Sequence, residues 1–359
     1  SWVLAFLGFA ALIVLHELGH FAAAKAVGMR VERFALFFPP IVGSVRRGET
    51  EYAMGSIPLG GYVKITGMNP SEELAPEIAH RAYFRQPVWK RIVVIVAGPV
   101  VNLVLAFLIL WALFFARGVT DLQVGVGEVV PGSAAAEVLR PGDRILSIDG
   151  RPGYAPGLSQ EDVRDRVMSL RRAIAEDAQT PAQVVVERDG ARVAVQALPR
   201  FDREAGQPVL GFAFARQGRD LGAVAAAGAS VDAMWRVTTL TVETLGRLFY
   251  DEQARDQVSG VVGNYEATRQ SFDVSTVRAI ELLALISLSL GIINLFPFLP
   301  LDGGHIFWAL AEKLRGRPIS FRVMERASVV GIVLVGILFF LGLTNDVQRI
   351  VSGEGFGVR

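Results

Sequence analysis

Ile13-Val14-Leu15-His16-Glu17-Leu18-Gly19-His20-Phe21-Ala22 lies inside an apolar run that extends from Trp2 to Val27. Three ionisable groups in a segment that reads as a membrane span are costly and mark function, since Asp, Lys or Arg alone cost about 2.5–3.5 kcal/mol each on insertion scales. On an α-helix, positions 16 and 20 fall within about 40° of one another, one turn apart, so both imidazoles reach one metal ion. Glu17 projects beside them as a candidate general base. The pattern implies metal-dependent hydrolysis within a bilayer. The bland alternative, two core histidines with Glu17 on a solvated face, leaves the burial of those groups without a reason.

The 359 residues are 52% hydrophobic with a mean hydropathy of +0.40, and the apolar residues are clustered, which implies spans plus a water-facing part. Ile92 to Phe115, Ile280 to Leu301 and Val329 to Leu343 add three candidate spans to the first. The first run lacks an initiating Met, a basic n-region and a small-residue cleavage site, so it reads as a retained span missing a few native residues rather than a signal peptide. A net charge of +1 gives no basis for binding nucleic acid. The absence of cysteine excludes disulfides and thiolate zinc sites and leaves His, Asp and Glu as ligands.

Nine Lys and Arg residues lie between Arg30 and Arg91, and Lys313, Arg315, Arg317, Arg322 and Arg326 lie between the third and fourth candidate spans. Both segments are therefore expected on the cytoplasmic side and the long stretch from Arg117 to about Arg278 on the other. Val31 to Phe37, a turn at Arg46 to Glu49, Glu51 to Met54 and Ile57 to Ile65 read as a hairpin or small sheet. Its glycines Gly60 and Gly61 permit close backbone approach, so the stretch either packs against the catalytic spans or is a plain cytoplasmic hairpin. Strands at Val124 to Val130, Arg144 to Ile148, Val184 to Arg188 and Arg192 to Ala197, with a charged helix Ser159 to Glu176, predict a compact α+β domain. An amphipathic helix around Val231 to Phe249 is expected along the membrane surface or against that domain.

A catalytic zinc needs three protein ligands and an open position, and the histidines supply two. Asp302 is the strongest candidate for the third. Leu301-Asp302-Gly303-Gly304 closes the third apolar segment after the helix-breaking Asn294-Leu295-Phe296-Pro297-Phe298-Leu299-Pro300, where unwound backbone would let a carboxylate face a cavity. The alternative is that Asp302 caps the helix starting near Gly303.

His16–His20, Ile57-Pro58-Leu59-Gly60-Gly61-Tyr62-Val63, Ala97-Gly98-Pro99-Val100-Val101-Asn102 and Asn294 to Gly304 together resemble the signature blocks of the site-2 protease family of intramembrane zinc metalloproteases. Gly125 to Val130 and Leu139 to Gly150 are similar to the two ends of the peptide-binding half of a PDZ domain, which places the resemblance in the branch with a single extracytoplasmic PDZ domain. Val258 to Gly263 resembles a further family block, with Val261 in place of its proline.

The resemblance implies a polytopic α-helical membrane protein of about four transmembrane helices, with a membrane-associated β-hairpin or sheet and an extracytoplasmic α+β PDZ domain. It implies Zn2+ held by His16, His20 and Asp302, Glu17 as catalytic base, Asn294 and Pro297 on the substrate backbone, and Asn102 near the site. Gly60 and Gly61 would carry an added substrate strand. The expected partners are the lipid bilayer, single-span membrane substrates already trimmed outside (anti-sigma factors, remnant signal peptides) and a peptide C-terminus in the PDZ groove. The expected setting is a bacterial cytoplasmic membrane with the active site toward the cytoplasm. Competing classes are a non-enzymatic membrane PDZ scaffold and a zinc transporter. The expected division is 1–27 first span, 28–90 cytoplasmic β region, 91–116 second span, 119–200 PDZ domain, 201–278 linker and amphipathic helix, 279–301 third span with a substrate-clamp loop, 302–326 cytoplasmic segment, 327–345 fourth span and 346–359 tail.

Overall fold

The computed structural model describes residues 2–69, 72–176, 179–202, 207–256, 258–317 and 319–352, and the chain divides into two compact units, residues 1–113 with 223–359 and residues 114–222.

The first unit opens with α1 (Trp2–Ala26), apolar around its whole circumference, as a helix facing lipid and protein must be. Strands β1 (Val31–Arg47) and β2 (Thr50–Ile65) form one long hairpin that turns at Gly48, whose φ of +61° is open to glycine without strain. The pairing doubles back on itself. Phe34 pairs with both Tyr52 and Val63, so residues 33–36 are central, and among the described residues 61–65 have strand partners on one side only. At the turn, Glu49 accepts bonds from Lys25 Nζ (2.6 Å) and from Arg81 Nη1 and Nη2 (2.7 and 2.8 Å), which ties the end of α1 to the hairpin. Arg81 and Lys25 hold its carboxyl down at about 2. A short α2 (Pro76–Ala79) leads to α3 (Val88–Arg117), whose 30 residues reach about 45 Å, longer than the ~30 Å of hydrocarbon.

The second unit carries β3 (Val119–Val129), β4 (Arg144–Ile148), β5 (Arg151–Pro152), α4 (Gln160–Glu176), β6 (Ala182–Arg188), β7 (Ala191–Ala197), β8 (Arg200–Asp202), β9 (Gln207–Val209) and β10 (Phe212–Arg219). The main sheet has the order β10-β3-β4-β6-β7, with β5 on β4. Period-two burial sends Val184 and Val186 of β6 inward, and a register shift between Ile145 and Ser147 brings Ile145 and Ile148 of β4 to the same core, against Val163, Val167 and Leu170 of α4. Asp189 and Gly190, both at positive φ, close the β6–β7 hairpin with the two-residue turn that such strands favour.

The loop before β4 is pinned by a buried ion pair. Asp143 accepts from Arg188 Nε (2.7 Å) and Nη2 (2.6 Å) and from the Arg140 amide (2.8 Å), and its own carbonyl accepts from Val126 N (2.7 Å). The Arg188 guanidinium holds the Asp143 carboxyl below the ordinary carboxylate range. A carboxyl lower in the folded than in the unfolded state stabilises at pH above its unfolded value of about 3.9 and stops doing so as pH falls through the folded value. Arg188→Met is expected to destabilise this unit by about 3 kcal/mol near neutral pH, because it strands a buried carboxylate. It should recover part of that loss in acid, where the carboxyl is neutralised, while the wild type weakens. Hydrogen exchange of the β4 and β6 amides against pH reads both slopes, and parallel slopes would remove the pair from this role.

The chain returns to the first unit with α5 (Ala223–Arg247), α6 (Glu252–Asp256), α7 (Val261–Val274), α8 (Thr276–Asn294), α9 (Asp302–Arg315) and α10 (Phe321–Ser352). α5 uses Met234 and Val237 against Ala106 of α3 and Leu288 and Ile292 of α8, so its apolar side packs on other helices of this unit. Among the described residues α1, α3, α8 and α10 are long and apolar enough to cross a membrane.

Two boundaries differ from expectation, and the first is that the second unit continues through β8, β9 and β10 to residue 222, taking in the start of the stretch 201–278 expected as a linker, because β10 pairs with β3. As the helix-breaking sequence implies, the third apolar helix stops at Asn294, and 295–301 form turns that satisfy their own amides, with Leu295 N on Ile292 O and Leu301 N on Phe298 O. Residues 302–326 hold α9, at the helix start expected near Gly303, and the start of α10. The second difference is the fourth apolar helix, which begins at Phe321 instead of 327 and takes in 346–352 of the supposed tail, whose last residues, 353–359, lie outside the described residues. Asn345 and Asp346 are tolerated inside it because other backbone meets them. Asp346, fully buried, accepts from Gly260 N (3.1 Å) and Gly263 N (2.7 Å) at the start of α7, and Asn345 Nδ2 donates to Arg255 O and Val258 O.

Candidate metal centre

His16 and His20 project from one face of α1, their Nε2 atoms 3.2 Å apart. Asp302, first residue of α9, places Oδ2 3.3 Å from His16 Nε2 and 3.2 Å from His20 Nε2. The N-cap of α9 is Leu301, so Asp302 stands at the first helical position, and its Oδ2 lies against the two histidine nitrogens. That geometry answers the alternative of a capping aspartate.

Three donors at these spacings are what one metal ion requires. Ligand atoms about 2.0–2.1 Å from zinc in a tetrahedron lie about 3.3 Å from one another. Asp302 Oδ2 is moreover buried with no hydrogen-bond partner of its own, a buried acceptor left for something other than protein. Among the described residues this is the one group of three His, Asp or Glu side chains that could hold a metal. The residues fit the ion.

The cavity beside them holds about 640 Å³ and is lined by Glu17, His305, Gly60, Gly61, Asn294 and Pro300 together with Ile13, Val63, Leu290 and Val335. Apolar walls around a few convergent polar groups are the ordinary build of a reaction site. The unpaired edge at 61–65 forms one side of it.

Close approaches position these groups. His20 Nδ1 lies 2.9 Å from Val94 O; a carbonyl only accepts, so Nδ1 carries the proton and Nε2 keeps its lone pair for a metal. A Cβ at Gly98 would stand 2.3 Å from His20 Nε2, one at Gly19 2.6 Å from Ala97 O, and one at Gly61 2.9 Å from Glu17 Cγ. Gly61 thus makes room for Glu17 as well as for any approaching backbone. Gly98→Ala is expected to lower zinc affinity on the order of 100-fold by displacing the ring of His20. Zinc content after graded chelator treatment checks it; unchanged retention would show that the ring can shift without loss.

Two expected substrate contacts fall elsewhere. Asn102, expected near the site and among the substrate-binding residues, is fully buried on α3 behind His16 and is not among the residues that line the cavity. Pro297 is exposed on the turn and outside the lining, whereas Pro300, also exposed, is among the residues that line the cavity. His305, one turn after Asp302 on α9 and next in line as a third ligand should Asp302 not serve, lines the cavity.

The profile of peptidase family M50 matches residues 4–338. The chain belongs to that family. A protein of Rhizobium meliloti (strain 1021) named as a zinc metalloprotease is 31% identical over 360 residues, covering 94% of this chain and 93% of that one. The regulator of sigma-E protease RseP of Salmonella typhimurium is 29% identical over 436 residues (94% and 96%), and that of Escherichia coli 29% over 438 (94% and 96%). Alignments of 436 and 438 positions against 359 residues mean that the RseP proteins carry stretches absent here. M50 membership and these relatives make the chain a multi-pass membrane zinc metalloprotease, and the scaffold and transporter readings give way.

Proposed function

We propose that this protease cleaves peptide bonds inside the membrane-spanning segments of single-span proteins already shortened outside the membrane, with His16, His20 and Asp302 as the zinc ligands and Glu17 as the base. The observation that carries the reading is the His16–His20–Asp302 triangle opening, beside Glu17, into a cavity walled by helices long and apolar enough to span a bilayer.

Zinc, when bound, lowers the pKa of a coordinated water to about 7 and acts as a Lewis acid toward a carbonyl. Glu17 accepts the proton of the attacking water and returns it to the leaving nitrogen, so the base is regenerated in each turnover. The substrate must arrive extended, since a helix hides its own peptide groups. The edge at 61–65 offers backbone N–H and C=O groups to such a segment, and Asn294 an amide. The second unit, residues 114–222, serves as an extracytoplasmic PDZ domain that includes β10 beside β3, a reading supported by Gly125–Val130 and Leu139–Gly150 meeting at Val126 N on Asp143 O and Gly142 N on Val126 O. The Lys and Arg residues between the spans favour an active site toward the cytoplasmic side of a bacterial inner membrane. By the RseP resemblance, anti-sigma factors and remnant signal peptides are the substrate class.

The test is the purified enzyme in vesicles with a labelled single-span substrate, its products mapped by mass. Cuts inside the span, faster when helix-destabilising residues are placed there, are the expected result. Cuts confined to water-exposed loops, or equal rates for stiff and helix-broken spans, would overturn it.

A further inference from the structure

We infer that Asn102 is a positioning residue for His16: its side-chain carbonyl accepts the Nδ1 proton of that ring and so fixes the tautomer in which Nε2 can bind zinc. The inference rests on the zinc-site reading above.

His16 and His20 solve the same problem with different partners. Each must keep a lone pair on Nε2, which requires the proton on Nδ1 and therefore an acceptor behind Nδ1. For His20 that acceptor is the backbone carbonyl of Val94. Behind His16 the group at 3.2 Å from Nδ1 is the amide of Asn102, with Nδ2 turned toward the ring. In that sense the amide donates to Nδ1, and a neutral ring would then carry its proton on Nε2, where a metal ligand cannot have it.

The two ends of an amide have the same shape, so hydrogen-bond chemistry selects the orientation. Asn102 Oδ1 is buried and has no hydrogen-bond partner, so no bond is lost when the amide is turned by 180°. Turned, Oδ1 faces the Nδ1 proton and Nε2 is free. The rest of the residue is held in place. Asn102 is fully buried, its backbone carbonyl accepts from Ser287 Oγ of α8 (3.0 Å), and Gly291 leaves room at its Cβ, where a methyl would come within 3.3 Å. One side chain on α3 thereby sets the ring of α1 from a position braced by α8.

Aspartate and leucine separate this role from plain packing, because both are close in size to Asn but only Asp, like a correctly turned amide, accepts. Zinc affinity is measured by competition with a chromophoric chelator for wild type, Asn102→Asp and Asn102→Leu in the whole protein. Asn102→Leu is expected to bind zinc about 10–100-fold more weakly, and Asn102→Asp within a few-fold of wild type or tighter, as carboxylate-backed histidine ligands are. Nitrogen NMR of 15N-histidine enzyme loaded with zinc should show the His16 proton on Nδ1 in wild type and Asn102→Asp.

Equal loss in both variants, or a His16 proton on Nε2, would overturn the inference. Both variants retaining full affinity would overturn it too. If wild type itself fails to bind zinc, the zinc-site reading fails and not this step alone. A cadmium-loaded sample separates misfolding from a lost hydrogen bond: Asn102→Leu that binds no ion and melts early is judged on the Asn102→Asp result and the wild-type NMR.

Discussion

Glu17→Gln is expected to leave zinc content and thermal stability unchanged while lowering peptide hydrolysis by at least about 10²–10⁴-fold. The amide matches the carboxylate in size, so the close fit of Glu17 Cγ under Gly61, where a methyl would come within 2.9 Å, is kept. The three donors of the metal triangle, His16 Nε2, His20 Nε2 and Asp302 Oδ2, are not touched. What is lost is the capacity to take a proton from water and deliver it to nitrogen. Metal analysis, a melting curve and cleavage of a single-span substrate on the same preparation read the three quantities together. Near wild-type turnover would remove Glu17 from the proton role. A fall in zinc along with activity would make it part of the metal site instead.

The same neighbourhood shows which parts of the site were legible in the chain. The spacing of His16 and His20 fixes their common face on any helix, and short β-prone runs with a charged helix between them are why β4, β6, β7 and α4 fall within two residues of the expected places, whereas β8, β9 and β10 lie in a Pro- and Gly-bearing stretch that read as linker and are seen only in their pairing. Groups whose roles depend on another element's side chain were not legible. Gly98 in an apolar helix has no sequence-level reason to be glycine until the ring of His20 is seen against it. Asn102 is put near the site in the sequence only by the family resemblance, and its burial against Nδ1 of His16 is visible only once α3 and α1 are packed together. The end of α10 was hidden for the same reason: Asn345 and Asp346 look like the end of an apolar helix unless the start of α7 and the turn before it are known to receive them.

Asp302→Ala is expected to abolish zinc retention under chelator concentrations that the wild type withstands, and hydrolysis with it. The loss should exceed the roughly 10–100-fold typical of a missing outer partner, because one of three protein ligands disappears and two Nε2 atoms 3.2 Å apart remain. A purely structural Asp302 would also destabilise the protein when removed, as breaking a buried pair with histidine does, so metal content alone does not separate the roles. The melting shift on adding zinc does. A ligand that binds only the folded state raises its stability by an amount set by the ratio of concentration to dissociation constant, so the wild type should melt higher with zinc and Asp302→Ala should not, whatever their stabilities without it. An undiminished zinc shift in Asp302→Ala would move the third ligand elsewhere. His305, lining the same cavity one turn further along α9, is where the search would go, and the double variant Asp302→Ala with His305→Ala would then have to lose the shift that the single one kept.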